Sequence, residues 1–286
     1  MPSYALTVDV PRLEADDVAA LFLEEGARGA EIREASIAPM PGAPRPRIDR
    51  AYVLAFFASR GEAEAAAAAL GLRGEIAEIA DRDWGESWKE GLAPFAIGRV
   101  FVRPSWIAAT PPAGAVEVVL DPGMAFGTGT HPTTALCLAA LDALLADAPG
   151  ADLLDVGTGS GLLAVAAKKL GARRVVGTEN DPVALRVAEE NAQRNGVALE
   201  LALEPPEAIA GRFGVVVANI LANTLVALAP EVAAKLAPGG VLLLAGILAG
   251  QEDEVRAAYV AQGLRPAAAR ERGAGEWRLV ALERPR

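Results

Sequence analysis

From Thr133 to the C-terminus the chain alternates between helix-like and strand-like segments, and this alternation restricts its fold more than any other feature. "TTALCLAALDALLAD" has the length and apolar content of a helix, and "DLLDVG" is a short, mostly apolar run of strand length. "GLLAVAAKKLGA", "PVALRVAEENAQRNG", "LVALAPEVAAKLAPGG" and "QEDEVRAAYVAQGL" continue the helices. "RVVGTEN", "ELALE", "GVVVANI", "VLLLAGI" and "GEWRLVALER" continue the strands. Apolar strands separated by helices imply a parallel sheet covered on both faces, a doubly wound α/β domain. Ligands of such sheets bind beyond the carboxyl ends of the strands, where the strand order reverses.

Residues 1–80 follow another rhythm. "YALTVDV", "GAEIREAS", "RAYVLAFFAS" and "GEIAEIA" read as strands, with helices at "LEADDVAALFLEEGA" and "GEAEAAAAALG". The order β-α-β-β-α-β is the ferredoxin-like pattern, a small α+β domain whose sheet carries helices on one side. A proline-rich loop, Pro39 to Arg47, interrupts it. Residues 81–94 are expected to form a linker helix in which Trp84 and Trp88, four apart, share a face. Residues 95–286 form the second domain, opening with strands at "RVFVRPSW" and "AVEVVLDPG" and a turn between them.

Two glycine-rich stretches stand close together, "DPGMAFGTGTHPTT" (Asp121 to Thr134) and "DVGTGSG" (Asp155 to Gly161). The first has no lysine and cannot be fitted to a P-loop. The second joins a strand to a helix, with Gly157, Gly159 and Gly161 allowing a tight turn and a close ligand approach. The helix N-terminus behind it offers unpaired N–H groups to an anion. Glu179 follows Gly161 by eighteen residues at the next strand end, where a carboxylate can accept from two ribose hydroxyls.

Two cofactors fit this layout. Gly159, Gly161 and Ala164 satisfy the dinucleotide pattern G-x-G-x-x-A, which points to a nicotinamide-dependent dehydrogenase. D-x-G-x-G-x-G, beginning at Asp155, resembles motif I of class I S-adenosylmethionine-dependent methyltransferases. An acidic residue beside backbone N–H groups suits the ammonium and carboxylate of that cofactor's amino-acid end. Asn219 ends the strand "VVVAN", resembling the Asn motif of methyltransferases that act on nitrogen, although Ile220 and Leu221 replace the usual two prolines. No Tyr-x-x-x-Lys arrangement is present to serve a dehydrogenase.

Composition narrows the classes further. With one cysteine, Cys137, and one histidine, His131, neither a disulfide framework nor a cysteine-based zinc site is possible. A net charge of −10 argues against direct nucleic-acid binding and suits an encounter with a basic protein, or simply solubility. The most apolar run, "GGVLLLAGILAG", is too short to span a bilayer. "MPSYALTVDV" lacks the features of a signal peptide, so a cytoplasmic location is expected; a monomer is expected as well.

"DPGMAFGTGTHPTTALCL" closely resembles the signature segment of the ribosomal protein L11 methyltransferase (PrmA) family, and "SWKEGLAPFAIG", "VRPSW", "NAQRNGV", "VVANILA" and "LAPGGVLLLAGIL" extend the resemblance from Trp84 to Gln251. It implies transfer of methyl groups from S-adenosylmethionine to lysine side chains, and to an N-terminal amine, of ribosomal protein L11. The small N-terminal domain would hold that protein while the second domain does the chemistry. By motif, Thr134, Gly157, Glu179 and Asn219 would contact the cofactor, with Asp155 and Gly159 in the same loop system. Phe126, Thr128 and His131 would lie on the segment covering it. Glu179 stands where the family usually has Asp, and Asn180 where it usually has an apolar residue. Asn219 is the candidate for holding the acceptor amine. His131 is a candidate base, set against the commoner structural use of a loop histidine. A lysine methyltransferase of another protein, such as the electron-transfer flavoprotein β-subunit, is the rival within the class, and a binding module without turnover is the rival outside it.

Overall fold

The computed structural model describes residues 3–34, 49–79, 93–121, 129 and 131–286. The chain divides into two compact units, Met1–Glu90 and Gly91–Arg286. The expected linker helix, with Trp84 and Trp88, lies outside the described residues apart from its last two positions, and the loop from Pro39 to Arg47 lies outside them entirely.

The first unit runs β1 (Ser3–Pro11), α1 (Ala15–Glu24), β2 (Gly29–Glu34), β3 (Arg50–Phe57), α2 (Arg60–Ala69) and β4 (Gly74–Ile79). Its antiparallel sheet has the order β2-β3-β1-β4, which is the ferredoxin-like arrangement. The two-residue period of a strand puts Leu6, Val8 and Val10 of β1, and Val53, Ala55 and Phe57 of β3, on one buried face. There they pack with Phe22 of α1 and Ala63 of α2, and the Phe22 and Phe57 rings meet edge to face at 6.3 Å. A capping box starts α2, with the Ser59 hydroxyl accepting from Glu62 N–H and the Glu62 carboxylate accepting from Ser59 N–H.

The second unit opens with a small sheet, β5 (Phe95–Ile97), β6 (Val100–Arg103) and β7 (Val116–Val119). β6 and β7 run parallel, so the "IAATPPAG" stretch is part of a crossover rather than a simple turn. The main sheet and its helices follow: α3 (Pro132–Asp147), β8 (Leu153–Val156), α4 (Leu162–Lys169), β9 (Val175–Thr178), α5 (Pro182–Arg194), β10 (Glu200–Ala202) and β11 (Phe213–Asn219). Then come α6 (Ala222–Ala227), α7 (Ala229–Ala234), β12 (Leu236–Leu248), α8 (Glu252–Val260), β13 (Arg265–Pro266), β14 (Arg272–Ala274) and β15 (Trp277–Glu283).

The strand order is β10-β9-β8-β11-β12-β15-β13. Successive residues of each strand enter opposite cores. Leu153, Val175, Val217 and Leu243 join α3 and α4 on one face, and Leu154, Val176, Val216 and Leu242 join α7 and α8 on the other. Two expectations need correction. The sheet is not wholly parallel, because β15 runs antiparallel between β12 and β13. The single helix expected over "LVALAPEVAAKLAPGG" is two, α6 and α7, meeting at Leu228; Pro230 in the first turn of α7 has no N–H to continue α6.

Gly246 marks where β12 and β15 shift register, between Leu244 and Ile247. Its φ is +85°, and a Cβ there would lie 2.1 Å from the Ile220 carbonyl oxygen. Gly246→Ala is expected to cost about 2–4 kcal/mol of stability, read as a lower denaturant midpoint in equilibrium unfolding.

Candidate functional site

Chain order in the main sheet reverses between β8 and β11, so the loop after β8 and the end of β11 border one crevice. The loop turns because Gly157, Gly159 and Gly161 all take positive φ, 72°, 53° and 79°. It is pinned by the N–H groups of Gly157 and Thr158, which donate to the Thr178 carbonyl at 2.8 and 2.9 Å. Gly161 then caps α4, which packs through Leu162 to Ala167 into the core.

Glu179 is the side chain that organises the neighbouring strand end. Its Oε2 accepts from Gly159 N–H at 2.9 Å, and its Oε1 accepts from Asn180 and Asp181 N–H at 2.8 and 3.2 Å. Held by three backbone donors, the carboxylate is fixed in place beside the glycine loop. Asp181 caps α5 by accepting from Val183 N–H at 2.8 Å.

On the other side of the crevice, half-buried Asn219 ends β11, paired in register with Ala245 of β12. Ile220 follows it and wedges against the loop: a Cβ on Gly157 would lie 2.6 Å from Ile220 Cγ2. The backbone just beyond Asn219 is therefore gripped between Gly157 and Gly246.

α3 brings its N-terminus to the same core. His131 is its N-cap, with Nδ1 accepting from Thr133 N–H at 3.3 Å and lying 2.7 Å from the Thr133 hydroxyl. The backbone donor makes Nδ1 an acceptor, so a neutral ring carries its proton on Nε2. That ring meets Trp277 edge to face at 4.6 Å. Thr134 is buried, and its hydroxyl has no hydrogen-bond partner among the described residues. Cys137, one turn on, is fully buried, and burial with the nearby Asp155 charge pushes its thiol up, leaving it neutral.

Asp155 is 1% exposed at the end of β8. Its Oδ2 accepts from the Thr158 hydroxyl at 2.7 Å, while Oδ1 has no partner among the described residues. Burial pushes its pKa up to about 7; the Thr158 hydroxyl and the Ala164 N–H oppose the shift, and Glu179 adds to it. Two buried, unpaired oxygens, on Thr134 and Asp155, therefore lie in the elements around the glycine loop. An ammonium group with donors to spare matches such acceptors, and the acceptor site left on Glu179 Oε2 matches one hydroxyl of a ribose. The residues present fit S-adenosylmethionine.

Phe126 and Thr128 lie outside the described residues, while Asp155, Gly157, Gly159, Glu179 and Asn219 stand at the carboxyl ends of the neighbouring strands β9, β8 and β11. Sequence reasoning missed Ile220 as a wedge, Thr158 as the partner of Asp155 and Trp277 as the partner of His131. The glycines opposite Ile220 were the available signal for the first; Thr158 stands only three residues after Asp155, within the glycine motif itself, whereas the Trp277 contact is distant in sequence. Among the described residues, no group of three or more His, Cys, Asp or Glu is placed to hold a metal ion. No helix among them is long and apolar enough to cross a membrane.

A glycine loop after the first strand of a doubly wound sheet, an acidic residue at the next strand end and one antiparallel strand near the sheet's edge define a class I S-adenosylmethionine-dependent methyltransferase. The family model for ribosomal protein L11 methyltransferase (PrmA) matches residues 3–285, and the chain belongs to that family. It is 42% identical over 292 aligned positions to a ribosomal protein L11 methyltransferase from Myxococcus xanthus, covering 98% of each chain. It is 43% identical over 281 positions to one from Pseudomonas aeruginosa, covering 94% of this chain and 92% of the other. The crystal structure of a ribosomal protein L11 methylase from Lactobacillus delbrueckii subsp. bulgaricus superposes with a TM-score of 0.61 at 31% identity, covering 68% of this chain and 98% of that one.

The Asp155 environment has a pH signature. Its folded pKa of about 7 lies above the ordinary 3.8, so between these values the native protein keeps a proton that the unfolded chain has released. Stability of the cofactor-free protein should fall as pH rises through that window. Asp155→Asn, which cannot ionise, should raise the melting temperature at pH 8 more than at pH 4; equal shifts at both would exclude a buried charge at this position.

Proposed function

We propose that this chain transfers methyl groups from S-adenosylmethionine to amines of ribosomal protein L11, on lysine side chains and at the N-terminus. The observation that carries the reading is the meeting of the Glu179-anchored glycine loop with the end of β11 at Asn219, in a chain of the PrmA family. Thr134, Asp155, Gly157, Gly159 and Glu179 hold the cofactor, with Phe126 and Thr128 assigned to it by motif. Residues 1–80 hold the protein substrate, 81–94 link, and 95–286 carry the chemistry. The substrate assigns the cytoplasm as the compartment, and we take the enzyme to act as a monomer without direct contact to nucleic acid.

The bound cofactor supplies an electrophilic methyl group that needs no further activation. The protein's task is to deliver a neutral amine in line, about 3–3.5 Å from its target. A lysine amine has an ordinary pKa of about 10.4 and must arrive deprotonated. Asn219 suits this, because a carboxamide oxygen accepts an N–H from the amine without offering the counter-charge that would stabilise an ammonium. Its backbone cannot drift, since Ile220 is held between Gly157 and Gly246. The capping geometry of His131 favours a structural role over a base, with its proton on Nε2 and its ring against Trp277.

Purified ribosomal protein L11 incubated with the enzyme and S-adenosylmethionine should gain mass in methyl steps located to lysines and the N-terminal amine. No gain, with cofactor binding confirmed by calorimetry, would leave the fold and overturn the substrate. Asn219→Ala should lower turnover about 100-fold while the cofactor still binds, as expected when alignment of a reacting group is lost. Near wild-type turnover would remove Asn219 from the mechanism.

A further inference from the structure

Asn191 in α5 and Asn195 at its C-cap bond like the edge of a strand rather than like helix side chains. The Asn195 carboxamide accepts from Val119 N–H at 2.9 Å and donates to the Val119 carbonyl at 2.6 Å. That of Asn191 accepts from Asp121 N–H at 3.0 Å and donates to the Asp121 carbonyl at 3.1 Å. A helix advances about 6 Å in four residues and a strand about 6.6 Å in two. Amides four apart on α5 therefore match alternate residues of the extended chain leaving β7.

Asn191 does one thing that Asn195 does not. Its Nδ2 also donates to the Ser160 carbonyl at 2.9 Å, inside the glycine loop. One turn earlier Ala188 lies against the same loop, so that a Cβ on Gly161 would come within 3.0 Å of Ala188 Cβ. The Asn191 oxygen further accepts from Arg194 at 2.8 Å, and Arg194 pairs with the Asp121 carboxylate at 3.2 Å. That carboxylate also accepts from the N–H and hydroxyl of Ser105 at 2.9 and 2.7 Å. One fully buried carboxamide thus joins the glycine loop to Asp121, the first residue of the other glycine-rich stretch.

We propose that Asn191 is a positioning residue: it holds the glycine loop and Asp121 at one spacing, and so sets alignment for transfer. The kinetic side of this rests on the methyltransferase reading; the structural coupling does not. The loop has other anchors, to Thr178, Glu179 and Asp155, so removing the Asn191 donor leaves it able to bind cofactor but no longer registered to Asp121.

The test compares three variants of the full-length protein. Asn191→Asp keeps an acceptor for Asp121 N–H and Arg194 but has no N–H for the two carbonyls, and Asn191→Ala removes both functions. Asn195→Ala removes a matching pair of bonds to Val119 and none to the glycine loop. Both Asn191 variants should lower kcat at least ~10-fold with affinity for S-adenosylhomocysteine within ~3-fold of wild type, whereas Asn195→Ala loses stability but keeps kcat within ~2-fold. Hydrogen exchange supplies a readout independent of turnover. S-adenosylhomocysteine should slow exchange of the Asp121 amide in the wild type and fail to do so in Asn191→Asp. The proposal is overturned if the Asn191 variants keep wild-type kcat, if Asn195→Ala loses kcat equally at the same melting temperature, or if the Asp121 amide responds alike in wild type and Asn191→Asp. Should the wild type itself transfer no methyl group, the functional reading fails and the exchange response alone decides the coupling.

Discussion

The carboxylate of Glu179 is the constraint on which the site's geometry depends. It collects N–H groups from Gly159, Asn180 and Asp181, and so ties the loop after β8 to the turn after β9. Backbone donors aimed at a fixed charge are strong hydrogen bonds. They add to the hold already given by buried Thr158 and Ser160, whose neighbours Gly157, Gly159 and Gly161 carry no side chain to pack. Glu rather than Asp at this position adds one methylene, which lets the carboxylate reach across to Gly159. The departure from the family's usual residue thus has a structural use alongside the proposed ribose role.

Asn219 is held by different means. A proline pair after the catalytic Asn, as in many nitrogen methyltransferases, would restrict the backbone through its rings. Here the restriction is steric. Ile220 sits between two glycines, Gly157 just beyond β8 and Gly246 in β12, the strands that flank β11, with no room for a Cβ on either. The Ile220 side chain meets the first and its backbone the second, and the cost of that close packing is borne by glycines in left-handed conformations. Rigidity at Asn219 therefore comes from packing across β8, β11 and β12 rather than from local chain chemistry.

Most of the architecture was legible because it is written in local periodicity. Strand-length apolar runs between helical runs mark the doubly wound sheet, and the β-α-β-β-α-β order marks the first unit. Asp155, Glu179 and Asn219 were legible for the same reason, each standing at the end of a recognisable strand. What escaped depends on partners far apart in sequence. The antiparallel course of β15 and the parallel pairing of β6 with β7 are properties of strand order, which periodicity does not encode. The break between α6 and α7 was readable in principle from Pro230, but an unbroken apolar pattern across it masked the signal. Trp277 acts on His131, a residue that only the fold brings near.

Asn191 and Asn195 illustrate the limit most directly. In the sequence they are two polar residues near a helix end, where Asn is commonly a cap or a turn former. In the fold they supply what an antiparallel strand beside β7 would supply, one donor and one acceptor each to the alternate residues Val119 and Asp121, across seventy or more positions of chain. A strand in that place would satisfy the same backbone but could not also reach Ser160. A helix can, because its side chains project in several directions from one axis. The two glycine-rich stretches are also linked through α5. One begins where β7 ends and the other follows β8, and Asn191 of α5 bonds to Asp121 of the first and Ser160 of the second. One buried amide thus contacts the beginning of one stretch and the middle of the other.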